Sequence, residues 1–443
     1  MVSETISGGR RWFRQRLQPE DFLSLAVIGL CLWQVLYLLA SGQLGVKGGL
    51  EMADIAERLV RGQGFASPYL PADVVRPTMV SPPLYVGMMA GIFSLFGIKT
   101  DLAHGILQLM NVLFNAVTLV CLFRVCQRLF NPLTARLFAV LFILHPHILL
   151  LSSSIWETAL TTMLLSIMLW FMVCAMDRYR IAHQILLALL FGIIALSNPA
   201  WTLSYPLFCL FLYRPWAAGP GISKTLLPIA VIFISYLLVV SPWLIRNYQV
   251  AGELTYVRNM SGPELFKGNH LQSGGGHGMG FHDYWIYNSE QQQRIYQAMG
   301  EQAYDQWMQQ RALEVIQENP GHYLTMTLVR IAMWWSGDVD VLWKWYQVGY
   351  YNKLAMGVVM TVAGTLTTLL AIPGAWLLRR RLRQLWPVFV LVFILPIPYY
   401  LMIIGFRYQA SLMAFTLIPV AYCLAVYLPV RLPWLNHHRA YPQ

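Results

Sequence analysis

Charged residues make up only 12% of this 443-residue chain, so an acid or a base set among apolar neighbours stands out as a candidate for chemistry. Glu51 and Asp54 fall in a short amphipathic stretch, 48–59, where three- and four-residue spacing puts them on one helical face with Arg58. A carboxylate within reach of a hydroxyl can take its proton as the oxygen attacks an electrophile. Glu157 follows Ser152-Ser153-Ser154-Ile155-Trp156 and opens a helix, where it serves either such chemistry or the orphan N–H groups of the first turn. Arg407, between Phe406 and Tyr408 in a final turn, has apolar runs on both sides. A guanidinium so placed is costly without an anionic partner such as a lipid phosphate, unless it reaches back to the headgroup layer. His270, His277, His282 and Asp283 can ligate metals, but their spacing is that of neither a helix-face site nor a finger.

The elements that position these residues are set by composition. At 57% hydrophobic and 14% aromatic, the chain is neither a soluble enzyme nor a disordered one. Ten apolar runs fit bilayer crossings, at 22–40, 103–123, 133–151, 155–175, 181–196, 201–213, 226–244, 354–378, 385–401 and 410–428. Ser197-Asn198-Pro199 forces a tight turn between the fifth and sixth. The first run is too long for a removable signal peptide and lacks its cleavage site.

With the N-terminus cytoplasmic, the inner segments hold 17 basic residues and four acids, a balance of +13: Arg10, Arg11, Arg14, Arg16, Arg124, Arg128, Arg136, Arg178, Arg180, Arg214, Lys224, Arg379, Arg380, Arg381, Arg383, Arg431 and Arg439. The outer segments hold 14 basic and 16 acidic residues, so the net +11 is a topology signal and gives a nucleic-acid role no support. All six cysteines lie in or beside crossings, which predicts no disulfide and no cysteine metal site.

The chain therefore reads as one all-α polytopic membrane domain over 1–443, with two long extracytoplasmic segments, 41–101 and 245–353. No internal repeat suggests an inverted-repeat transporter. Two apolar stretches, 82–97 and 323–335, would invert the loop charges if they crossed, and are laid in the outer interface as membrane-parallel helices. His104, Gln108, Asn111 and Asn115 form a polar stripe that must face the bundle, as helix-to-helix bonding or as substrate contact. The glycine cluster 274–280 lacks the Gly-Lys-Ser/Thr ending of a phosphate loop and suggests a mobile flap. A polar helix over 289–317, with Ile295, Met299, Ala303 and Trp307 every four residues, reads as an amphipathic cover.

The order of these features resembles the membrane glycosyltransferases of the GT-C superfamily, most closely the bacterial branch with the aminoarabinose and protein mannosyl transferases. The resemblance rests on Glu51-Met52-Ala53-Asp54, Gly62-Gln63-Gly64-Phe65, Pro82-Pro83-Leu84-Tyr85, Leu95-Phe96-Gly97, Trp156-Glu157-Thr158, Arg246-Asn247-Tyr248, Gly268-Asn269 and Arg407-Tyr408. It implies transfer of a sugar from a polyprenyl-phosphate donor to a hydroxyl of a glycan, lipid or protein. The site would be periplasmic in a bacterial inner-membrane protein whose termini are both cytoplasmic. Many relatives carry an Asp, or an Asp-Glu pair, directly after the first helix, whereas here Glu51 precedes Asp54 by three residues; Glu51 is the first choice of base and Asp54 the second.

On this reading Glu157 orients the acceptor or holds the sugar. Arg407 with Tyr408, helped by Arg246, Lys267 or Arg76, takes the departing phosphate. His145, His147, Trp156, Asn269, His270 and Tyr85 are candidates to line the substrate pocket. No cofactor and no metal ligand set is predicted, with a divalent metal as the alternative, and a single displacement would invert the anomeric centre. The rival readings are a flippase for lipid-linked sugars, expected to carry ionisable residues near the midplane and broken helices, and a lipid-linked glycan ligase or polymerase.

Overall fold

The computed structural model describes residues 18–175, 181–204, 206–207, 222–278, 280–379 and 382–431. Much of the 201–213 run and several of the inner-segment arginines, including Arg10, Arg178 and Arg214, lie outside the described residues. The described chain is helical, and its β structure is limited to one isolated antiparallel bridge, Ala66 to Pro77.

Helix α1 (Pro19–Ala40) starts on a proline with Glu20 and Asp21 in its first turn, suiting the positive helix end. After the short α2 (Leu50–Val60) and α3 (Pro83–Phe96) comes α4 (Asp101–Leu129), capped by the Thr100 hydroxyl. Helices α5 (Pro132–Leu144) and α6 (Pro146–Ser153) meet at a 56° bend. Pro146 lacks the N–H needed to continue α5 and drives His145 out of helical conformation. Then follow α7 (Thr158–Ala175), α8 (Ile181–Ser197) and α9 (Ile222–Ala251).

The 245–353 segment builds α10 (Ser261–Asn269), α11 (Glu290–Met299), α12 (Glu301–Glu318), α13 (Pro320–Ser336) and α14 (Val339–Val348). The bundle closes with α15 (Tyr351–Leu378), α16 (Leu382–Phe389), a π-helical turn at Val390–Ile394, α17 (Ile397–Leu401) and α18 (Phe406–Arg431).

The molecule is a multi-pass membrane protein, and six helices are long and apolar enough to cross a bilayer, seven if the bent α5–α6 pair is one span. The shorter apolar helices are Pro83–Phe96, Ile181–Ser197 and the stretch Leu385–Leu401. The expected ten crossings are not all met by length alone: the 133–151 run bends at Pro146, Ile181–Ser197 and Leu385–Leu401 are too short, and much of 201–213 lies outside the described residues. Helix α18 is buried almost all round, with Ala410, Ala414, Phe415 and Ile418 inaccessible, as befits a helix at the centre of a bundle. By contrast Leu25, Ile28, Leu32 and Leu36 of α1 are each more than half exposed, an apolar side suited to lipid.

Polar groups fix how the long segments sit on this bundle. Asn111 donates to the Ser154 carbonyl at 2.8 Å, and Gln108 donates to Gln43 O and accepts from Gly45 N, both at 2.8 Å. Asn115 donates to Gln34 at 3.1 Å. The amide N–H groups of the stripe go to backbone and helix partners, while the Asn111 and Asn115 amide oxygens are buried without one. Glu301 clasps the two segments together by accepting from the Met79 N–H at 2.7 Å and the Thr78 hydroxyl at 2.5 Å.

Two local expectations change. The polar helix over 289–317 is two helices, because Gly300 sits at φ +82° and turns the chain between them. The glycine cluster is a fastened strap. A Cβ at Gly274 or Gly276 would fall 2.1 or 2.3 Å from Asp340 or Asp338, and the Gly278 N–H donates to Asp340 at 2.9 Å.

Buried Arg330 makes a cross-brace, donating to Tyr400 O at 2.6 Å, Gly268 O at 2.5 Å and Asn269 Oδ1 at 2.9 Å. It caps the last carbonyls of α10 and α17 at once. The two segments approach so closely that a Cβ at Gly268 would lie 1.7 Å from the Met402 carbonyl oxygen. Gly268→Ala is therefore expected to destabilise the protein by about 1–3 kcal/mol, read as a lower thermal unfolding temperature in detergent. Gly87→Ala, with nothing within 4 Å of the new Cβ, should leave that temperature unchanged or raise it.

Candidate active site

The turn into α2 is shaped for close approach. Gly49 sits at φ +83°, and a Cβ there would lie 2.8 Å from the Met89 methyl and 3.3 Å from the Ile155 carbonyl. Gly48 likewise packs on Ile155. The loop bearing Glu51 thus lies directly on the loop that leads to Glu157, and α4 holds both through Gln108 and Asn111. Leu50, just before Glu51, has φ +36°, a left-handed backbone that a leucine adopts under constraint.

Both carboxylates line one cavity of about 470 Å³. Glu51 Oε1 accepts from the Trp285 indole N–H at 2.7 Å and from the Tyr69 hydroxyl at 3.4 Å, while Oε2 is buried with no partner. Glu157 Oε1 accepts from the Asn198 amide at 3.3 Å, and its Oε2 is likewise buried and unpartnered. Glu157 precedes α7, yet its hydrogen-bonded side-chain oxygen is taken by Asn198, so the helix-capping reading does not describe it.

Arg407, Tyr408, Lys267 and Trp156 line the same cavity. The Arg407 guanidinium lies over the Trp156 ring at 3.9 Å and donates to the Tyr408 hydroxyl at 2.6 Å. No carboxylate lies within ion-pair distance of it among the described residues. Two further cations are already paired: Arg258 and Lys267 each meet Glu264 at 3.2 Å. Burial would raise the Glu264 carboxyl, but Lys267 and Arg258 outweigh it and hold the group down at about 2. His277 also lines the cavity, and burial together with Arg407 and Lys267 pushes its imidazole down to about 3, so it is neutral at ordinary pH.

Other expected residues lie elsewhere. Asp54 does not line the cavity; it is ion-paired to Lys99, which also meets Glu57 at 2.7 Å. Arg246 spends its guanidinium on Thr78 O at 2.6 Å and Phe65 O at 3.0 Å, and Arg76 is exposed. Tyr85 is buried in the core. His145 meets the Thr367 hydroxyl at 3.1 Å, and His147 is buried beside it with its ring 6.4 Å from that of Phe406. Asn269 bonds Leu265 O and Leu401 O, and His270 packs on Phe266 and Tyr284. Among the described residues, no group of three or more His, Cys, Asp and Glu could hold a metal ion.

Sequence reasoning missed Tyr69, Asn198, Arg258, Trp285, Asp338 and Tyr399, all of which line the cavity. Asn198 was visible only as turn punctuation. Arg258 gives no local sign, since it donates to Val80 O at 2.8 Å across 178 residues of chain. The Glu264–Lys267 spacing of three was legible as a helical pair.

This all-helical bundle is shared with membrane enzymes of known structure. The chain superposes on the oligosaccharyltransferase AglB of Archaeoglobus fulgidus in complex with an inhibitory peptide and a dolichol-phosphate, with a TM-score of 0.55 and 12% identity, over 98% of this chain and 53% of that one. The same archaeal enzyme solved with zinc and sulfate aligns at a TM-score of 0.53 and 13% identity, over 93% of this chain and 50% of that one. ArnT of Cupriavidus metallidurans bound to undecaprenyl phosphate aligns over 95% of this chain and 80% of that one at 12% identity, with a TM-score of only 0.37. This chain spans about half the length of the archaeal enzyme. No protein-family model and no curated protein matches the sequence. The likeness establishes the fold.

One group on the cavity wall sets a pH dependence. Burial, and after it the neighbouring Asp340, pushes the Asp338 carboxyl up to about 7 against the N–H it accepts from Val341. Because the folded value exceeds the unfolded one, this contribution to stability is complete below about pH 4, declines as pH rises and is gone above about 7. Thermal unfolding of the wild type is expected to fall more steeply from pH 5 to 7 than that of Asp338→Asn; parallel curves would contradict the assignment.

Proposed function

We propose that the chain is a glycosyltransferase that moves a sugar from a polyprenyl-phosphate donor to a hydroxyl of a glycan, lipid or protein acceptor on the extracytoplasmic side of a bacterial inner membrane. One observation carries the reading: a single cavity in which Glu51 and Glu157, each with a buried unpartnered oxygen, share walls with an arginine that has no carboxylate partner among the described residues. A transporter needs the arginine but has no use for two carboxylates held beside it with one oxygen each unused.

In the proposed reaction the open oxygen of Glu51 takes the proton of the acceptor hydroxyl. The acceptor oxygen forms the new bond to the anomeric carbon as the bond from that carbon to the phosphate oxygen breaks. The electron pair leaves with the polyprenyl phosphate, and Arg407 meets the charge that develops there. Lys267 and Arg258 share the single carboxylate of Glu264 and so together add one net positive charge to the same walls. Glu157 orients the acceptor or holds the sugar, and a single displacement inverts the anomeric centre. The dolichol-phosphate in the archaeal structure supports a lipid-phosphate donor for this fold.

The test is reconstitution in liposomes with a radiolabelled polyprenyl-phosphate hexose or pentose and envelope glycans as acceptor, following lipid release. Glu51→Gln is expected to cut turnover about 10²- to 10⁴-fold with donor binding retained; full activity would sink the base assignment. Arg407→Ala should weaken donor binding and turnover together, by about 10²-fold or more in turnover. Passage of intact donor across the bilayer with no bond cleaved would identify a flippase instead.

A further inference from the structure

Helix α14 presents two faces to different surroundings. Val341 and Trp345, four residues apart, line the cavity, as does Asp338, which caps the helix by accepting from the Val341 N–H at 3.2 Å. On the opposite side Val339, Trp343 and Tyr346, spaced by four and three residues, are 51%, 51% and 56% exposed. The Trp343 and Tyr346 rings stack at 5.7 Å. Tyr350 and Tyr351 are also exposed and lead directly into α15, a membrane-span helix whose exposed Val358, Val359, Val362 and Leu366 form an apolar side suited to lipid.

We propose that this outer face of α14 is seated in the lipid interface on the cavity side of the membrane. The occupant follows from continuity with the exposed side of α15 and from composition. Trp and Tyr settle at headgroup level, where one end of the ring is apolar and the other wet. The Lys353 ammonium lies over the Tyr350 ring at 4.8 Å, next to the start of the span, as a lysine does when it reaches from an apolar surface to water. In water the same side would be a contiguous apolar patch of the kind that soluble surfaces avoid.

The seat has a structural consequence. A wall one helix thick, about 10 Å, separates cavity from lipid. The same helix fastens the strap, because Gly278 N–H donates to Asp340 at 2.9 Å and Lys344 donates to Gly278 O at 3.4 Å. His277 of that strap packs against Gly405, two residues before Arg407. The membrane surface thus fixes the height of the wall and of the strap together. This seating holds whether or not the chain transfers sugars.

Photocrosslinking of the full chain tests it. The protein is reconstituted in phosphatidylethanolamine and phosphatidylglycerol vesicles carrying an alkyne-tagged acyl chain. Benzoylphenylalanine is placed singly at position 343, 346, 341 or 359. On irradiation, positions 343 and 346 are expected to capture tagged lipid to within about threefold of position 359, and position 341 to give at most about a tenth of that. Protein adducts at 343 and 346, from a second copy or another chain, would overturn the proposal, as would no lipid adduct at either while 359 captures lipid. Two outer positions are used so that a variant that fails to fold leaves the other to decide.

Discussion

Two carboxylates buried in one cavity are the constraint around which this structure is arranged. A carboxylate taken out of water is costly unless hydrogen-bond donors meet it. The protein meets this with one donor set per carboxylate, Trp285 and Tyr69 for Glu51 and Asn198 for Glu157, and with cations in the same walls. The backbone has to permit the approach. Glycines at 48 and 49 let the first loop lie on Ile155, and amides of α4 tie down the segments that lead to both acids. An amide stripe inside a membrane helix is costly unless every group finds a partner, and here much of its bonding goes to backbone near the two acids.

Two arginines show how a buried guanidinium can be satisfied in different ways. Arg330 is inaccessible, and its guanidinium is bonded to carbonyls, an amide and a hydroxyl from α10, α13 and α17. Its role is complete within the fold. Arg407 lies on the Trp156 face with one bond to Tyr408, and its Nε is buried without a partner. A cation–π contact is worth about 0.5–2 kcal/mol, less than several carbonyl bonds to a charge. Arg407 is therefore the guanidinium with capacity left for an anion.

The all-helical membrane fold was legible because its signals are one-dimensional: apolar run length, proline position and caps. The turn at Asn198-Pro199 follows from the same local rules, whereas the 133–151 run, read as one crossing, is bent at Pro146. Residues that meet across long chain separations were not legible. Arg258 lies near no motif, and Trp285 stands in a loop with no periodicity, yet both line the cavity. Arg246 misled for the converse reason. Its position beside Asn247-Tyr248 suggested phosphate binding, but nothing local reveals that the carbonyls of Thr78 and Phe65 would absorb it. The glycine strap reads as loose by composition, whereas its glycines are needed for contact with Asp338 and Asp340.

Helical spacing alone could not separate Glu51 from Asp54, since residues three apart share a face. The difference arises from what packs on that face. Asp54 meets Lys99, a residue at φ +50° in the turn after α3, and shares it with Glu57. A carboxylate held in an ion pair away from the cavity is not placed to meet a substrate hydroxyl there. Glu51, at the first turn of the same helix, lies under Trp285 and Tyr69, which fix one oxygen and leave the other buried and unpartnered. Donors that hold one oxygen orient the second without neutralising it, as a general base requires. In the proposed reaction the geometry thus favours Glu51, and Asp54 with Lys99 serves to anchor the helix that carries it.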